Sequence, residues 1–507
     1  MFNRSAGVLM HISSLPGKYG IGNLGKSARD FADMLEKMGM AAWQILPVGP
    51  TDFYNSPYAS LSAFAGNPAF IDPEQLCEDG LITKEELKAC EVDSPYVADF
   101  AAVAKWLMPT LRKAFSRADE ALMKEVRAFA KKNHWLPDYA LFRALKAKSP
   151  ETPWQDWDKD LKLRKKSALD KVKKELAEDI DFYCFVQYQF YKQWAVLKKY
   201  VNSKGISIIG DMPIYLSLDS ADIWANPSLF SLDEDLCQKS CAGVPPDYFC
   251  EDGQKWGNPL YDWDAMKKDG YSWWIQRIEN SLKLYDAVRI DHFRGLSTYW
   301  EVPVDKSARF GKWRKGPGMS LFKALAKAHP GAAIIAEDLG DIDDGVRKLV
   351  KDSGFPGMAV MQFAFIEPGD NVHMPHNCTR NTVAYTGTHD NNTVLGWLWE
   401  VDPGSRQFCL DYCGFEGDWG VGGPKSPIIH SMLRTLWRSG AVLTIVPVQD
   451  LCGFGGDCRM NRPGVADGNW NFRVTEEALK AIDADWLRGI TELYRRRNPL
   501  IMEDNNG

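Results

Sequence analysis

Asp286-Ala287-Val288-Arg289-Ile290-Asp291-His292 holds a short apolar run, 287–290, with an arginine inside it and a carboxylate just past its end. A run of this length without strict alternation reads as a parallel strand buried on both faces. In extended chain the side chains alternate, so Arg289 and Asp291 share one face and Val288 and Ile290 the other. An arginine beside a carboxylate keeps it ionised, which a nucleophile needs. A plain ion pair inside the strand explains the same pattern equally well.

Seven more runs of this kind lie at 7–12, 42–48, 206–209, 332–336, 358–365, 382–385 and 441–446, nearly all ending in a polar or Gly/Pro-containing segment. Between several of them run amphipathic stretches with helical spacing, at 25–38, 273–283, 320–328 and 343–351. Strand, helix, strand repeated to eight predicts an α/β fold, a (β/α)8 barrel. Two intervals are too long for plain connections. Segment 73–200, rich in Lys, Glu, Ala and Leu, reads as a helical insertion, and 212–270, rich in Pro, Gly, Trp and Tyr, as an irregular aromatic loop subdomain. Both are placed around the C-terminal face of the strands, within one catalytic body spanning 1–507. Segment 395–439 reads as mixed helix and loop.

The 507 residues carry 61 Lys and Arg against 67 Asp and Glu, a net charge of −6. That balance lacks the basic footprint of a nucleic-acid binder, so no nucleic-acid partner is expected. No apolar run approaches the roughly 18 residues of a membrane span, and the N-terminus makes a poor signal peptide. The 11 cysteines are scattered without paired Cys-x-x-Cys spacing. Cys237 with Cys241, or Cys452 with Cys458, could bridge, but reduced thiols in a cytoplasmic chain are expected. Aromatic residues make up 12%, with 19 Trp. Most such rings belong to the core, although flat apolar faces also bind pyranose rings.

A barrel places its chemistry at the C-terminal ends of its strands. Those positions hold Asp211 after the third run, Asp291 after the fourth, Glu337 and Asp338 after the fifth, and His389 and Asp390 after the seventh. Acids gathered on one face cost stability, and such clusters are kept for catalysis or for a metal. On the fifth strand, alternation leaves open whether Glu337 or Asp338 points inward. Two acids could cleave a glycoside or, with a third ligand, bind magnesium; spacing alone does not separate these. His11 reads as a satisfied structural histidine and His292 as a support residue facing away from Asp291. Gly453-Phe454-Gly455-Gly456 lacks the following helix that a phosphate cradle requires.

An ordered set of short motifs goes further. It runs Ser13-Ser14-Leu15-Pro16-Gly17, Asn55-Ser56-Pro57-Tyr58, Gly210-Asp211-Met212-Pro213-Ile214-Tyr215, Pro245-Pro246-Asp247-Tyr248-Phe249 and Gly253-Gln254-Lys255-Trp256-Gly257-Asn258-Pro259. It continues with Arg289-Ile290-Asp291-His292-Phe293-Arg294, Ala336-Glu337-Asp338-Leu339-Gly340, Thr388-His389-Asp390-Asn391, Arg459-Met460-Asn461 and Gly468-Asn469-Trp470. In these segments, from the first strand to the last, the chain resembles the amylomaltase family of 4-α-glucanotransferases, relatives of the α-amylases. Where those hydrolases carry an Asn-His pair after the third-strand acid, Asp211 is followed by Met-Pro-Ile-Tyr, as in the amylomaltases, so no amylase-type calcium site is implied.

The resemblance implies Asp291 as nucleophile, Glu337 as general acid/base and Asp390 as the third carboxylate, holding sugar hydroxyls. It implies that Arg289 orients Asp291, that His389 and Asp211 bind hydroxyls of the sugar at the cleavage point, and that Tyr58 stacks on that ring. Tyr248, Phe249, Gln254 and Trp256 resemble an active-site lid, and Asn461 a residue of the far wall. Neither cofactor nor metal is implied. The expected activity is retaining transfer of α-1,4-glucan segments between maltodextrins, starch- or glycogen-derived glucans or glucose. A plain α-glucan hydrolase with the same carboxylates is the alternative.

Overall fold

The computed structural model describes residues 3–246, 251–366, 369, 371–465 and 467–497. Twelve strands appear among them. They are β1 (Ser5–Leu9), β2 (Ala42–Gln44), β3 (Ser207–Met212), β4 (Ser240–Val244), β5 (Gln254–Pro259), β6 (Ala287–Ile290), β7 (Thr298–Pro303), β8 (Lys312–Lys315), β9 (Ile334–Ala336), β10 (Gly357–Val360), β11 (Thr382–Tyr385) and β12 (Leu443–Pro447). Eight of them form one parallel sheet in the order β10-β11-β12-β1-β2-β3-β6-β9. Its two ends meet where the Ala336 N–H donates to the Pro356 carbonyl at 2.9 Å. Helices wrap the outside, among them Lys26–Lys37, Ser272–Leu284, Met319–Ala328 and Asp344–Ser353. This is the (β/α)8 barrel expected from the runs.

Boundaries shift where local geometry intervenes. The expected run 358–365 stays extended only to Val360 and then turns through the helix Met361–Ala364. Apolar residues buried in a short helix and in a strand leave the same signature over so few positions. Gly210 in β3 is explained by close packing: a Cβ there would lie 2.1 Å from the Tyr285 ring. With no side chain, the strand can press onto the aromatic layer behind it.

The segment 73–200 is helical, ending in the 27-residue helix Ala177–Ser203. That helix is stitched to the chain after β2. Gln187 exchanges two hydrogen bonds with the backbone of Gly66, at 2.8 and 2.9 Å, and Gln193 two with that of Asp72, at 2.7 and 3.2 Å. Trp194 donates its indole N–H to the Leu284 carbonyl at 2.8 Å. The aromatic segment 212–270 is more regular than expected. Its β4 and β5 join β7 and β8, which follow the fourth barrel strand, in an antiparallel sheet ordered β5-β4-β7-β8. Sequence reading missed this sheet because β8, Lys-Trp-Arg-Lys, is exposed on every residue and carries no apolar periodicity.

Candidate active site

Arg289 and Asp291 lie on one face at the end of β6, as alternation requires. The Arg289 guanidinium grips Asp211 at the end of β3 with two bonds, Nε to Oδ1 at 3.0 Å and Nη2 to Oδ2 at 2.6 Å. Nη2 also reaches Asp291 Oδ1 at 2.9 Å and the Tyr58 hydroxyl at 3.3 Å. The Asp211 side chain is fully covered, whereas that of Asp291 is 29% exposed. Asp211 therefore holds Arg289, and Arg289 presents Asp291 to the cleft. Tyr58 donates its hydroxyl to Asp211 Oδ2 at 2.6 Å. Its ring stacks on His389, with centroids 5.1 Å apart and planes 18° apart.

The question left open on the fifth strand resolves into two roles. Glu337 faces the site: Oε2 accepts the His292 N–H at 2.7 Å and Oε1 the Leu339 N–H at 2.8 Å. His292 directly follows Asp291, so the two carboxyl groups are tied to adjoining backbone. Asp338 turns to the seam of the barrel, where Oδ1 accepts the Met358 N–H of β10 at 2.7 Å. A Cβ on Gly357 would lie 2.4 Å from Asp338 Oδ2. Glycine at 357 thus lets a carboxylate stand in for a ladder carbonyl between β9 and β10.

On the opposite side, Asp390 Oδ1 accepts from Asn461 Nδ2 at 2.6 Å and lies 3.3 Å from His389 Nε2. Arg459 donates to the Asp390 carbonyl and, at 2.6 Å, to that of Asn461. Asp390 remains 47% exposed, free to meet a ligand. The loop carrying it is pinned by buried Asp450, which accepts from Val394 N–H and the Thr386 hydroxyl, both at 2.7 Å.

Burial pushes Glu337 upward from the usual carboxylate range, against the opposing pull of Arg289 and its two N–H donors. Asp291 is raised by burial and by the neighbouring acids, with Arg289 again opposing. The two titrate together as one pair. Arg289 bonds Asp291 directly, whereas Glu337 accepts two backbone N–H groups instead. His389 is held neutral by burial.

The lid residues divide. Tyr248 and Phe249 lie outside the described residues. Trp256, in β5, stands edge-on to His292 with ring centroids 4.8 Å apart and accepts support from Gln254, whose Oε1 takes its indole N–H at 3.1 Å. His292, turned into the left-handed region at φ 49°, thus carries Trp256 on its ring and Glu337 on its amide. His11 is buried but not satisfied, since its Nδ1 has no hydrogen-bond partner, and burial lowers its pKa to about 3.

Trp470 was given no role by sequence reading. Its ring lies 5.7 Å from Tyr58 and 5.9 Å from His389, on a backbone with φ 66°. A bulky residue held at positive φ costs of order 1–3 kcal/mol and needs support from its surroundings. Its appearance after Gly468-Asn469, a turn-forming pair, was the available signal. Among the described residues no group of three or more His, Cys, Asp or Glu is arranged to hold a metal ion, and no helix is long and apolar enough to cross a membrane.

A (β/α)8 barrel with carboxyl groups gathered at its strand ends, two held by an arginine and one by backbone N–H groups, has the build of a barrel enzyme working by carboxylate chemistry. A 4-α-glucanotransferase family model matches residues 10–479. The 4-α-glucanotransferase of Streptococcus pneumoniae is 44% identical over 99% of both chains, and that of Thermus thermophilus 42% identical over 97% of this chain and 99% of its own. The solved amylomaltase of Streptococcus agalactiae, in complex with acarbose, superposes with a TM-score of 0.93 at 41% identity, covering 97% of this chain and all of that one. The chain belongs to the 4-α-glucanotransferase family, and it is a transferase acting on α-1,4-glucans.

Proposed function

We propose that the chain moves α-1,4-glucan segments by a retaining double displacement in which Asp291 attacks the anomeric carbon and Glu337 protonates the departing oxygen. The observation that carries this is the pairing of unequal carboxyl groups: Asp291 bonded to Arg289 at 2.9 Å, and Glu337 away from that bond but tied to the next residue's N–H at 2.7 Å. A retaining mechanism needs one ionised carboxylate and one carboxylic acid close together. Glu337, left as the base, then activates the 4-hydroxyl of an acceptor sugar.

In this reading Asp390, exposed and steadied by Asn461 and His389, takes hydroxyls of the distorted ring. Tyr58 lends its ring to that sugar, and Asp211 acts chiefly through Arg289 and Tyr58, because its oxygens are already occupied. Gln254 and Trp256 form part of a lid over the acceptor, and Tyr248 and Phe249 lie outside the described residues. Donors and acceptors are maltodextrins and starch- or glycogen-derived glucans, with glucose as the smallest acceptor; that the Streptococcus agalactiae amylomaltase was solved in complex with acarbose supports a saccharide substrate. A cytoplasmic setting agrees with the ten described cysteines, all of them free thiols.

Incubation with pure maltotriose tests the activity. A ladder of longer maltodextrins together with glucose is the expected product; maltose and glucose alone would make the chain a hydrolase.

A further inference from the structure

Away from the carboxylates, Trp399 and Trp419 form a patch of exposed aromatic surface braced by ring and guanidinium contacts. Trp399, near the end of the helix Val394–Glu400, is 65% exposed, more than any other tryptophan among the described residues. Its ring meets that of Trp419 with centroids 4.6 Å apart at 60°. The Arg406 guanidinium lies over Trp419, 4.4 Å from the centroid, and is anchored on the Leu398 carbonyl at 3.1 Å. The turn at 418–420, closed by the Gly420 N–H on Asp418 at 2.9 Å, runs so near that a Cβ on Gly420 would lie 3.4 Å from the Trp399 ring. Exposed Glu400 and Asp418 neighbour the two rings in sequence.

The patch is continuous with the cleft end of the barrel. Its helix begins four residues after Asp390, and its first N–H is held by Asp450. Beyond Trp419, the Gly423 N–H donates to the Gly453 carbonyl at 2.9 Å, in the loop after β12. Arg459, bonded to the Asp390 carbonyl, also feels the Glu400 carboxylate. The exposed Trp399 ring, braced edge-on by Trp419 and bordered by carboxylates and a guanidinium, matches a pyranose, which offers a C–H face and a rim of hydroxyls.

We propose that Trp399 and Trp419 form a docking platform for a long α-1,4-glucan, outside the site that cuts it. The proposal rests on the glucan-transfer reading above. Holding a polymer at a second point raises its effective concentration at the cleft, so long chains gain and short ones do not.

The experiment compares wild type, Trp399→Ala and Trp399→Phe by native electrophoresis through amylopectin gels and by kinetics on amylose and maltotriose. Wild type is expected to be retarded by amylopectin and Trp399→Ala to lose most of that retardation, with Trp399→Phe in between. The ratio of the amylose KM to the maltotriose KM should rise roughly fivefold in Trp399→Ala, the loss of one ring contact. Equal retardation of wild type and Trp399→Ala, or KM changes alike for both substrates, would overturn the platform while leaving transfer intact. Retardation that depends on Trp399 in a wild type making no maltotriose ladder would keep the platform and sink the transfer reading. Sedimentation is run alongside: a dimer that Trp399→Ala converts to monomer would make the patch an interface between copies and overturn the proposal.

Discussion

Arg289 joins three strands' worth of chemistry with one guanidinium. It is bound twice by Asp211 from β3, once by Asp291 just past the end of its own strand, and touches Tyr58 from the loop after β2. Its planar fork permits this, whereas a lysine would meet one partner as a point charge. In the proposed mechanism Glu337, apart from that direct bond, is the group that keeps a proton. Replacing Glu337 by Gln should remove acid and base together while Asp291 still attacks, so a donor with a good leaving group forms a glycosyl-enzyme that cannot turn over. Mass spectrometry of Glu337→Gln with a glycosyl fluoride is expected to find the adduct on Asp291; an adduct on Asp390 would exchange the roles of those two residues. The sign of the pH dependence follows from the raised Glu337 pKa. Its acid form persists above the range of an exposed glutamate, and activity falls as pH rises through that value. In kcat/KM profiles this alkaline limb should be present for maltodextrins and absent for a glycosyl fluoride, whose leaving group needs no proton.

At the scale of elements, the lid and the seam show how strands position chemistry. The strand β5 brings Trp256 onto His292, whose amide holds Glu337, so the proposed lid ring and the proposed proton donor share one residue of support. Water is present at roughly 55 M, so transfer prevails only if an oriented acceptor and excluded solvent favour the sugar. Trp256→Ala is expected to slow transfer more than hydrolysis on maltotriose, raising the ratio of glucose released by water to glucosyl units transferred. A ratio that stays constant while both rates drop would show that the ring only holds the loop. The helix Val394–Glu400 depends on Asp450, buried with a carboxyl pushed up to about 6. Folding favours its protonated form, so its contribution to stability is complete below about pH 4 and is lost as pH rises through 6.

For the whole molecule, the helical insertion and the barrel share one core. Phe142, Trp154, Phe185 and Trp194 from the insertion belong to the same contiguous buried cluster as Ile209, Val288 and Ile445 of the strands. Two glutamines and an indole bond the long helix to barrel backbone without water between them. Neither part can unfold alone without exposing apolar surface worth about 25 cal/mol per Å². Calorimetry is accordingly expected to show one cooperative transition; two resolved transitions would mean that the insertion folds independently.

The sequence by itself determined the barrel and the face that carries its chemistry. Eight buried parallel strands write themselves as short apolar runs, and a strand's period of two is strict enough to put Arg289 and Asp291 together. Local periodicity could not choose between Glu337 and Asp338, because both follow the strand and the choice depends on which donor each meets: the amide of His292 or that of Met358 across the seam. The antiparallel sheet of β4, β5, β7 and β8 was equally hidden, since β8 and most of β5 are exposed and keep no apolar pattern. Trp470 beside Tyr58, and Trp399 against Trp419, are meetings of residues far apart or differently placed in the chain. Such contacts come from the closing of the sheet and the packing of its loops, and only the tertiary structure decides them.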